Sequence, residues 1–141
     1  MARSSGQVSY VAATVPIAII MTVLWLFIAT DVTVARSPTT YIVGDEFGWD
    51  PIFLMDTWAE GKTFYAGDIL EFKYDYQISN VMVVNETGYD TCKANDEAEE
   101  YSSGDDKIQL PFGYSYYIGT FIPEDCSAGL KMAINALAPP I

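Results

Sequence analysis

The segment WAEGKTFYAGDILEFKY, residues 58–74, decides the fold. In its last part Leu70 and Phe72 alternate with the charged residues Glu71 and Lys73. This period of two places the apolar side chains on one face of an extended chain and the charged ones on the other. The residues AGD just before the alternation are typical of a turn. The segment therefore predicts a strand that covers a core with one face.

Five more short segments, rich in Val, Ile, Tyr and Phe, lie between turn residues and also favour strands. The predicted strands are residues 40–43, 69–74, 80–84, 107–110, 116–121 and 130–136. Only two segments look helical, and both are short: residues 56–61 and 87–94. This arrangement predicts an all-β sandwich or barrel with one or two short helices.

The composition excludes several classes of function. The chain has 141 residues, no histidine, 7 basic and 19 acidic residues, and a net charge of −12. Nucleic acids and anionic membrane surfaces bind cationic proteins, so both are excluded as partners. Without histidine there is no Ser-His-Asp or Cys-His catalysis and no imidazole metal site. Acidic residues are plentiful, but nothing singles out a catalytic pair, and we expect no enzymatic activity.

The N-terminal segment predicts export from the cytosol. No charged residue lies between Arg3 and Asp31, and residues 11–30 are mostly apolar. Thr33 and Ala35 fit the small-residue positions of a signal-peptidase site, so residues 1–35 are interpreted as a signal peptide. The alternative is an uncleaved signal anchor, because about 20 apolar residues can span a bilayer. That anchor would attach the protein to the membrane.

Two further features follow from an extracellular location. Cys92 and Cys126 are the two cysteines of the chain, and in a secreted domain we expect them to form a disulfide. The alternative is one or two free thiols. The sequon Asn85-Glu86-Thr87 predicts N-glycosylation, and its alternative is an unmodified turn.

Acidic and aromatic residues each allow two interpretations. The stretch NDEAEEYSSGDD, residues 95–106, is predicted to be a solvated acidic loop, with Ca²⁺ or a basic partner as weaker alternatives. Most aromatic side chains are expected in the core, although they could stack on sugar rings. The core set is Trp49, Trp58, Tyr114, Tyr116 and Tyr117, and the expected exposed set is Tyr65, Tyr76 and Tyr101.

A series of motifs in order along the chain resembles the phytocyanins, the plant branch of the cupredoxins. The motifs are VGDEFGWD (43–50), WAEGKTFYAGDILEFKY (58–74), NVMVV (80–84), YDTC (89–92), SSGDDKIQL (102–110), FGYSYYI (112–118) and CSAGLKMAI (126–134). The resemblance implies a Greek-key β-sandwich of the cupredoxin type at residues 40–137, with a disulfide between Cys92 and Cys126. Residues 138–141 are a short tail.

The same resemblance locates four positions that hold copper ligands in copper-binding phytocyanins. The two histidine positions are Ser79 and Asp125, and the axial position is Leu130. The thiolate position falls on Gly119 counted from one side and on Thr120 from the other, because this loop is one residue longer than usual. The chain therefore resembles the early nodulin-like phytocyanins, which bind no copper, and we expect no cofactor.

Early nodulin-like phytocyanins imply a function outside the cell. We expect a binding, recognition or signalling module in the cell wall or at the outer face of the plasma membrane. Its partner would be an extracellular glycan or protein, which the sequence does not identify. The alternatives are a blue-copper electron-transfer protein and a scaffold with only a structural role.

Overall fold

The computed structural model describes residues 17–18 and 35–141, and residues 35–141 contain eight strands and three short helices. The strands are β1 (Thr40–Ile42), β2 (Phe64–Tyr65), β3 (Ile69–Lys73), β4 (Val81–Val84), β5 (Glu99–Tyr101), β6 (Asp105–Gln109), β7 (Gly113–Ile118) and β8 (Lys131–Leu137). The helices are α1 (Met55–Ala59), α2 (Glu86–Thr91) and α3 (Pro123–Ala128), with a 3-10 turn at Asp45–Phe47.

Residues Ala35–Ile141 form a compact unit of their own. The predicted signal peptide lies outside the described residues, apart from residues 17–18 and 35. No helix in the described part is long and apolar enough to cross a membrane. Signal cleavage and anchoring therefore stay predictions.

The strands form two sheets, which confirms the predicted sandwich. One sheet has the order β1-β3-β6 and the other the order β2-β8-β7-β4-β5. Most neighbours are antiparallel, but β1 pairs with β3 and β2 with β8 in parallel. Both sheets are thus mixed.

Three aromatic rings connect the two sheets through the core. The Phe72 ring, on β3, lies 5.1 Å from the Trp49 ring and 5.3 Å from the Tyr117 ring, on β7. All three side chains are buried, as is Leu70, so the predicted alternation in residues 69–74 is confirmed. Burial raises the pKa of Tyr117 to about 12, so its hydroxyl is neutral and donates a 2.9 Å hydrogen bond to Ser115.

The opposite face of the five-stranded sheet is also covered. Met82, Val84, Ile118 and Cys126 form a second apolar cluster there. The Cys92–Cys126 disulfide, with its Cα atoms 5.7 Å apart, connects the end of α2 to α3 across this cluster. A covalent bond therefore joins the two helical segments next to the second cluster.

Some elements differ from the prediction. Helix α3 was not predicted, so the chain has three short helices rather than one or two; Pro123 at its start and Gly129 after its end are signals that could have revealed it. Strand β2 has only two residues, too few to show a period. The acidic stretch 95–106 is not simply a loop, since β5 and the start of β6 lie within it. Charged side chains suit β5 because it is an edge strand.

The segment before β1 is held by the carboxylate of Asp68, whose side chain is fully buried. The Arg36 guanidinium donates to it at 2.7 Å, the Thr39 amide at 2.9 Å and the Tyr65 amide at 3.0 Å. Burial alone would raise the pKa of this carboxyl, but the three donors outweigh burial and lower it. An ionised Asp68 therefore stabilises the folded state.

Replacing both Cys92 and Cys126 by Ala is expected to lower the free energy of unfolding by about 2–5 kcal/mol, because the cross-link restricts the unfolded chain. Urea unfolding of the double variant and the parent measures the difference. Thiol labelling of the native, unreduced parent should find no free cysteine. Two labelled thiols, or equal stabilities, would contradict the structural role of the disulfide.

Asp68→Asn is expected to lower the free energy of unfolding at pH 7 by about 1.5–3 kcal/mol, because charged hydrogen bonds are lost inside the protein. The pKa of Asp68 is lowered in the folded state, so its contribution is present at neutral pH. It is lost as the pH falls below about 4, and the two proteins should then converge in stability.

Thermal unfolding from pH 7 to pH 3 tests this dependence. The control is Asp96→Asn, which removes the same charge from an exposed position. A difference between parent and Asp68→Asn that does not shrink in acid would show that the ionised carboxylate is not the stabilising group.

Candidate functional site

The side chain of Asn80, buried just before β4, organises the site at one end of the sandwich. Its Oδ1 accepts hydrogen bonds from the Thr120 amide at 2.7 Å and the Phe121 amide at 3.0 Å. Its Nδ2 donates to the Thr120 hydroxyl and to Glu100, both at 3.0 Å. The Trp49 indole donates to the Asn80 carbonyl at 3.0 Å. Asn80 thus fixes the loop that follows β7.

These bonds also explain why β7 ends at Ile118, although the strand was predicted to continue to residue 121. The amides of Thr120 and Phe121 bond to the Asn80 side chain instead of a neighbouring strand. Sequence reasoning missed the role of Asn80. A polar side chain at the start of the apolar run VMVV was the available signal, because a buried amide needs partners.

Gly119 and Leu130, the thiolate and axial positions, lie in direct contact. The Gly119 amide donates to the Leu130 carbonyl at 2.9 Å. A Cβ added at Gly119 would lie 2.2 Å from Leu130 Cδ2, which is shorter than any van der Waals contact. The buried Leu130 side chain therefore fills the space into which a side chain at Gly119 would extend. Thr120, the other thiolate candidate, directs its hydroxyl to Asn80 instead.

Ser79 and Asp125, the two histidine positions, border a cavity of about 210 Å³. Ser79 ends the turn that begins at Asp75, and its amide donates to the Asp75 carbonyl at 3.0 Å. Ser79 is only 5% exposed, and its Oγ has no hydrogen-bond partner among residues 35–141. Asp125 lies in α3, next to the disulfide residue Cys126. The structure thus brings both positions to one cavity.

The residues that line the cavity include both carboxylates and apolar side chains. Burial raises the pKa of Asp125, and the negative charges of Glu124 and Asp50 raise it further. Ile78 and Ile122, which are 55% and 38% exposed, border the same cavity. The arrangement suits a ligand that combines a polar, positively charged group with an apolar part.

These residues do not fit a blue copper ion. Such a site needs a thiolate, imidazoles and a weak axial ligand. The four positions instead have the hydroxyl of Ser79, no side chain at Gly119, the carboxylate of Asp125 and the hydrocarbon of Leu130. Within residues 35–141 no group of three or more Cys, Asp or Glu side chains is arranged to hold a metal ion.

A second, more open cavity of about 410 Å³ lies beside the first. It is lined mainly by Phe47, Ile52, Phe53 and Leu54, all exposed. The Phe47 and Phe53 rings are 4.5 Å apart. Its lining has few polar groups, so it offers packing and little hydrogen bonding.

The aromatic residues divide differently from the prediction. Trp49 and Tyr117 are core residues, as expected, but Tyr114 is 67% exposed on β7, so its assignment to the core was wrong. Its neighbour on the same face is Tyr116, whose ring stacks on it at 6.2 Å. Of the three residues expected to be exposed, Tyr76 is exposed, whereas Tyr65 and Tyr101 are half-buried.

Known proteins share both the sequence and the fold. A family model described as a plastocyanin-like domain matches residues 49–130. Early nodulin-like protein 22 of Arabidopsis thaliana is 74% identical over 139 residues, which cover 99% of each chain. The basic blue protein of Cucumis sativus is 47% identical over 97 residues, or 69% of this chain and 98% of that protein.

Two solved structures extend the likeness to the fold. Cucumber basic protein, a blue copper protein, superposes with a TM-score of 0.66 at 45% identity and covers 70% of this chain and 100% of its own. Cucumber stellacyanin gives 0.63 at 31% identity, with 74% and 100% covered. None of these matches is to an enzyme family. The chain therefore belongs to the plastocyanin-like family, as a phytocyanin domain of the early nodulin-like kind with a cupredoxin fold.

Proposed function

We propose that this chain is a copper-free phytocyanin domain that acts outside the cell as a binding or recognition module. The observation that carries the proposal is the contact between Leu130 and Gly119, which leaves no room for a thiolate where copper-binding relatives need one. The hydroxyl of Ser79 and the carboxylate of Asp125 supply no imidazole. A domain with this fold and without a redox metal can still act by binding a partner at its surface or in its cavities.

The alternative is electron transfer through copper. Two observations favour it: the basic blue protein relative is 47% identical, and the cucumber protein with the similar structure is a blue copper protein. The donor set of this chain opposes it, because carboxylate and hydroxyl oxygens prefer harder ions than copper in a blue site. Copper titration decides between the two functions.

Cu(II) added to the purified protein is expected to give no intensely blue species, because that colour requires a thiolate bound to the metal. Any copper held by surface carboxylates should be pale and should be removed by gel filtration. Visible absorption and metal analysis measure both. A stable one-to-one blue complex would refute the copper-free proposal.

A matched variant tests the geometry of the site itself. It restores the ligand types through Ser79→His, Gly119→Cys, Asp125→His and Leu130→Met. We expect at most a weak site, because the sequence resemblance implies that the loop between Gly119 and Asp125 is one residue longer than in copper-binding phytocyanins. Tight blue copper in this variant would show that the loop does not misplace the ligands.

The extracellular part of the proposal rests on the predicted signal and on the sequon. Asn85 is exposed at the start of α2, and its Oδ1 accepts a 2.8 Å hydrogen bond from the Gly88 amide. Glycosylation uses the side-chain nitrogen and leaves this oxygen in place, so a glycan at Asn85 is compatible with the helix cap. Thr87, the third residue of the sequon, is also exposed.

Expression of the full chain in plant cells is expected to yield a glycoprotein outside the cell that begins at Arg36. N-terminal sequencing and a mobility shift on enzymatic deglycosylation measure both properties. Thr87→Ala should abolish the shift, while Thr91→Ala, the same change outside a sequon, should keep it. A membrane-embedded product that still begins at Met1 would show that the N-terminal segment is an uncleaved anchor. A parent protein whose mobility does not shift would show that Asn85 is not glycosylated.

The recognition role is tested by binding of the secreted protein to a glycan array and to proteins of the cell wall and plasma membrane. Exposed Tyr76 and Tyr114 offer rings on which sugars could stack. Retention of a specific glycan or protein would support the role. A protein that retains neither, although it is correctly folded, would favour the purely structural scaffold.

A further inference from the structure

The cavity bordered by Ser79 and Asp125 has the features of a binding site for a small cation. It offers two carboxylates, Asp50 and Asp125, and a buried hydroxyl without a partner. Its volume, about 210 Å³, exceeds the share of several water molecules, each about 30 Å³ in the liquid. All of these groups, and the absence of a partner for the hydroxyl, belong to residues 35–141.

The carboxylate of Asp125 is available to a ligand. It forms no hydrogen bond or ion pair with another side chain of residues 35–141. One oxygen of Asp50 accepts from the Ile52 amide at 2.8 Å, and its other oxygen is free of such a bond. Because like charges around one cavity repel each other, a cation between them would be stabilised by both.

Within residues 35–141, the one basic residue that borders the cavity is Lys73. Its ammonium lies 3.7 Å from Glu71 on the same face of β3 and is half exposed, so it already has a carboxylate outside the cavity as its partner. Asp75 adds a third carboxylate, one oxygen of which accepts from the Gln77 amide at 2.9 Å. The acidic groups of the cavity thus outnumber its single basic one.

The buried hydroxyl of Ser79 has no hydrogen-bond partner among residues 35–141. A buried hydroxyl without a hydrogen bond is uncommon in folded proteins, because the group has lost water without replacement. The Ser79 Oγ is such a group, and Ser79 borders the cavity. Rotation about χ1 among its staggered rotamers would direct the hydroxyl to a bound donor. A ligand with several N–H groups can bond to it and to the carboxylates together.

We propose that this cavity binds a protonated primary amine on an aliphatic chain, with the ammonium between Asp125, Asp50 and Ser79 and the methylene groups against Ile78 and Ile122. A divalent metal ion is less suited, since hard cations take six to eight oxygen ligands. An anion would be repelled by the carboxylates of the cavity and by the net charge of −12. This inference rests on the proposed function, because it assigns a ligand class to the same copper-free site.

Such an amine could come from a free diamine or from a lysine side chain of a protein partner. Calorimetric titration of the disulfide-bonded protein, purified after expression of the full chain, uses 1,4-diaminobutane for the first source and Nα-acetyl-lysine methylamide for the second. Buffer with about 150 mM salt screens the long-range field of the protein. Butanol and butyrate, which lack the ammonium, should not bind. Binding of either amine supports the proposal, and the stronger one identifies the source.

Two variants localise the binding. Asp125→Asn should weaken it at least tenfold, because a charged hydrogen bond is lost. Ser79→Ala should weaken it about fivefold, the effect of one hydrogen bond. It should not lower the melting temperature, because the hydroxyl has no hydrogen-bond partner among residues 35–141. Asp96→Asn, an equal charge change at an exposed position, should stay within twofold of the parent.

The proposal is overturned if neither amine binds, or if Asp96→Asn weakens binding as much as Asp125→Asn, which would indicate general attraction to an acidic protein. Cu(II) is titrated into the same preparation as a separate arm. An intensely blue one-to-one complex would refute the proposed copper-free function itself. Absence of amine binding without blue copper would remove only the inference about the ligand.

Discussion

The hydrogen bonds of the Asn80 side chain join segments that are far apart in the sequence, and the site depends on them. Asn80 lies 40 residues from Thr120 and 20 from Glu100, yet its amide bonds to both. Because it is buried, each bond is stronger than it would be in water, and each would be costly to leave unmade. The loop after β7 therefore has one position relative to β4. Gly119 faces Leu130 as a result.

Three interactions between protein groups hold the loop between β7 and β8. Asn80 holds its beginning, the Gly119 amide bonds to the Leu130 carbonyl at its end, and the disulfide holds α3 in between. In a metalloprotein, the metal can provide part of this linkage, since binding free energy contributes to folding. Here Leu130 fills the space beside Gly119 and contributes apolar contacts instead.

Much of the fold could be predicted because its signals are local. The alternation around Leu70 and Phe72 reports burial of one face directly, and the structure buries both side chains. Elements that depend on distant partners could not be predicted in this way. The edge strand β5 has the charged sequence EEY and exists because β4 offers it hydrogen bonds, and β7 ends early because Asn80 takes the next two amides.

Only part of the site could be predicted from the sequence. The resemblance located Ser79, Asp125, Gly119 and Leu130, but it could not say that the first two share a cavity while the last two are in contact. That division follows from the size of the Leu130 side chain, which fills the space between two of the four copper-ligand positions that the resemblance locates. The other two positions are the hydroxyl of Ser79, on a turn, and the carboxylate of Asp125, on the helix that contains the disulfide residue Cys126. Groups that are already in place lose little entropy on binding, so even a small ligand gains affinity from them.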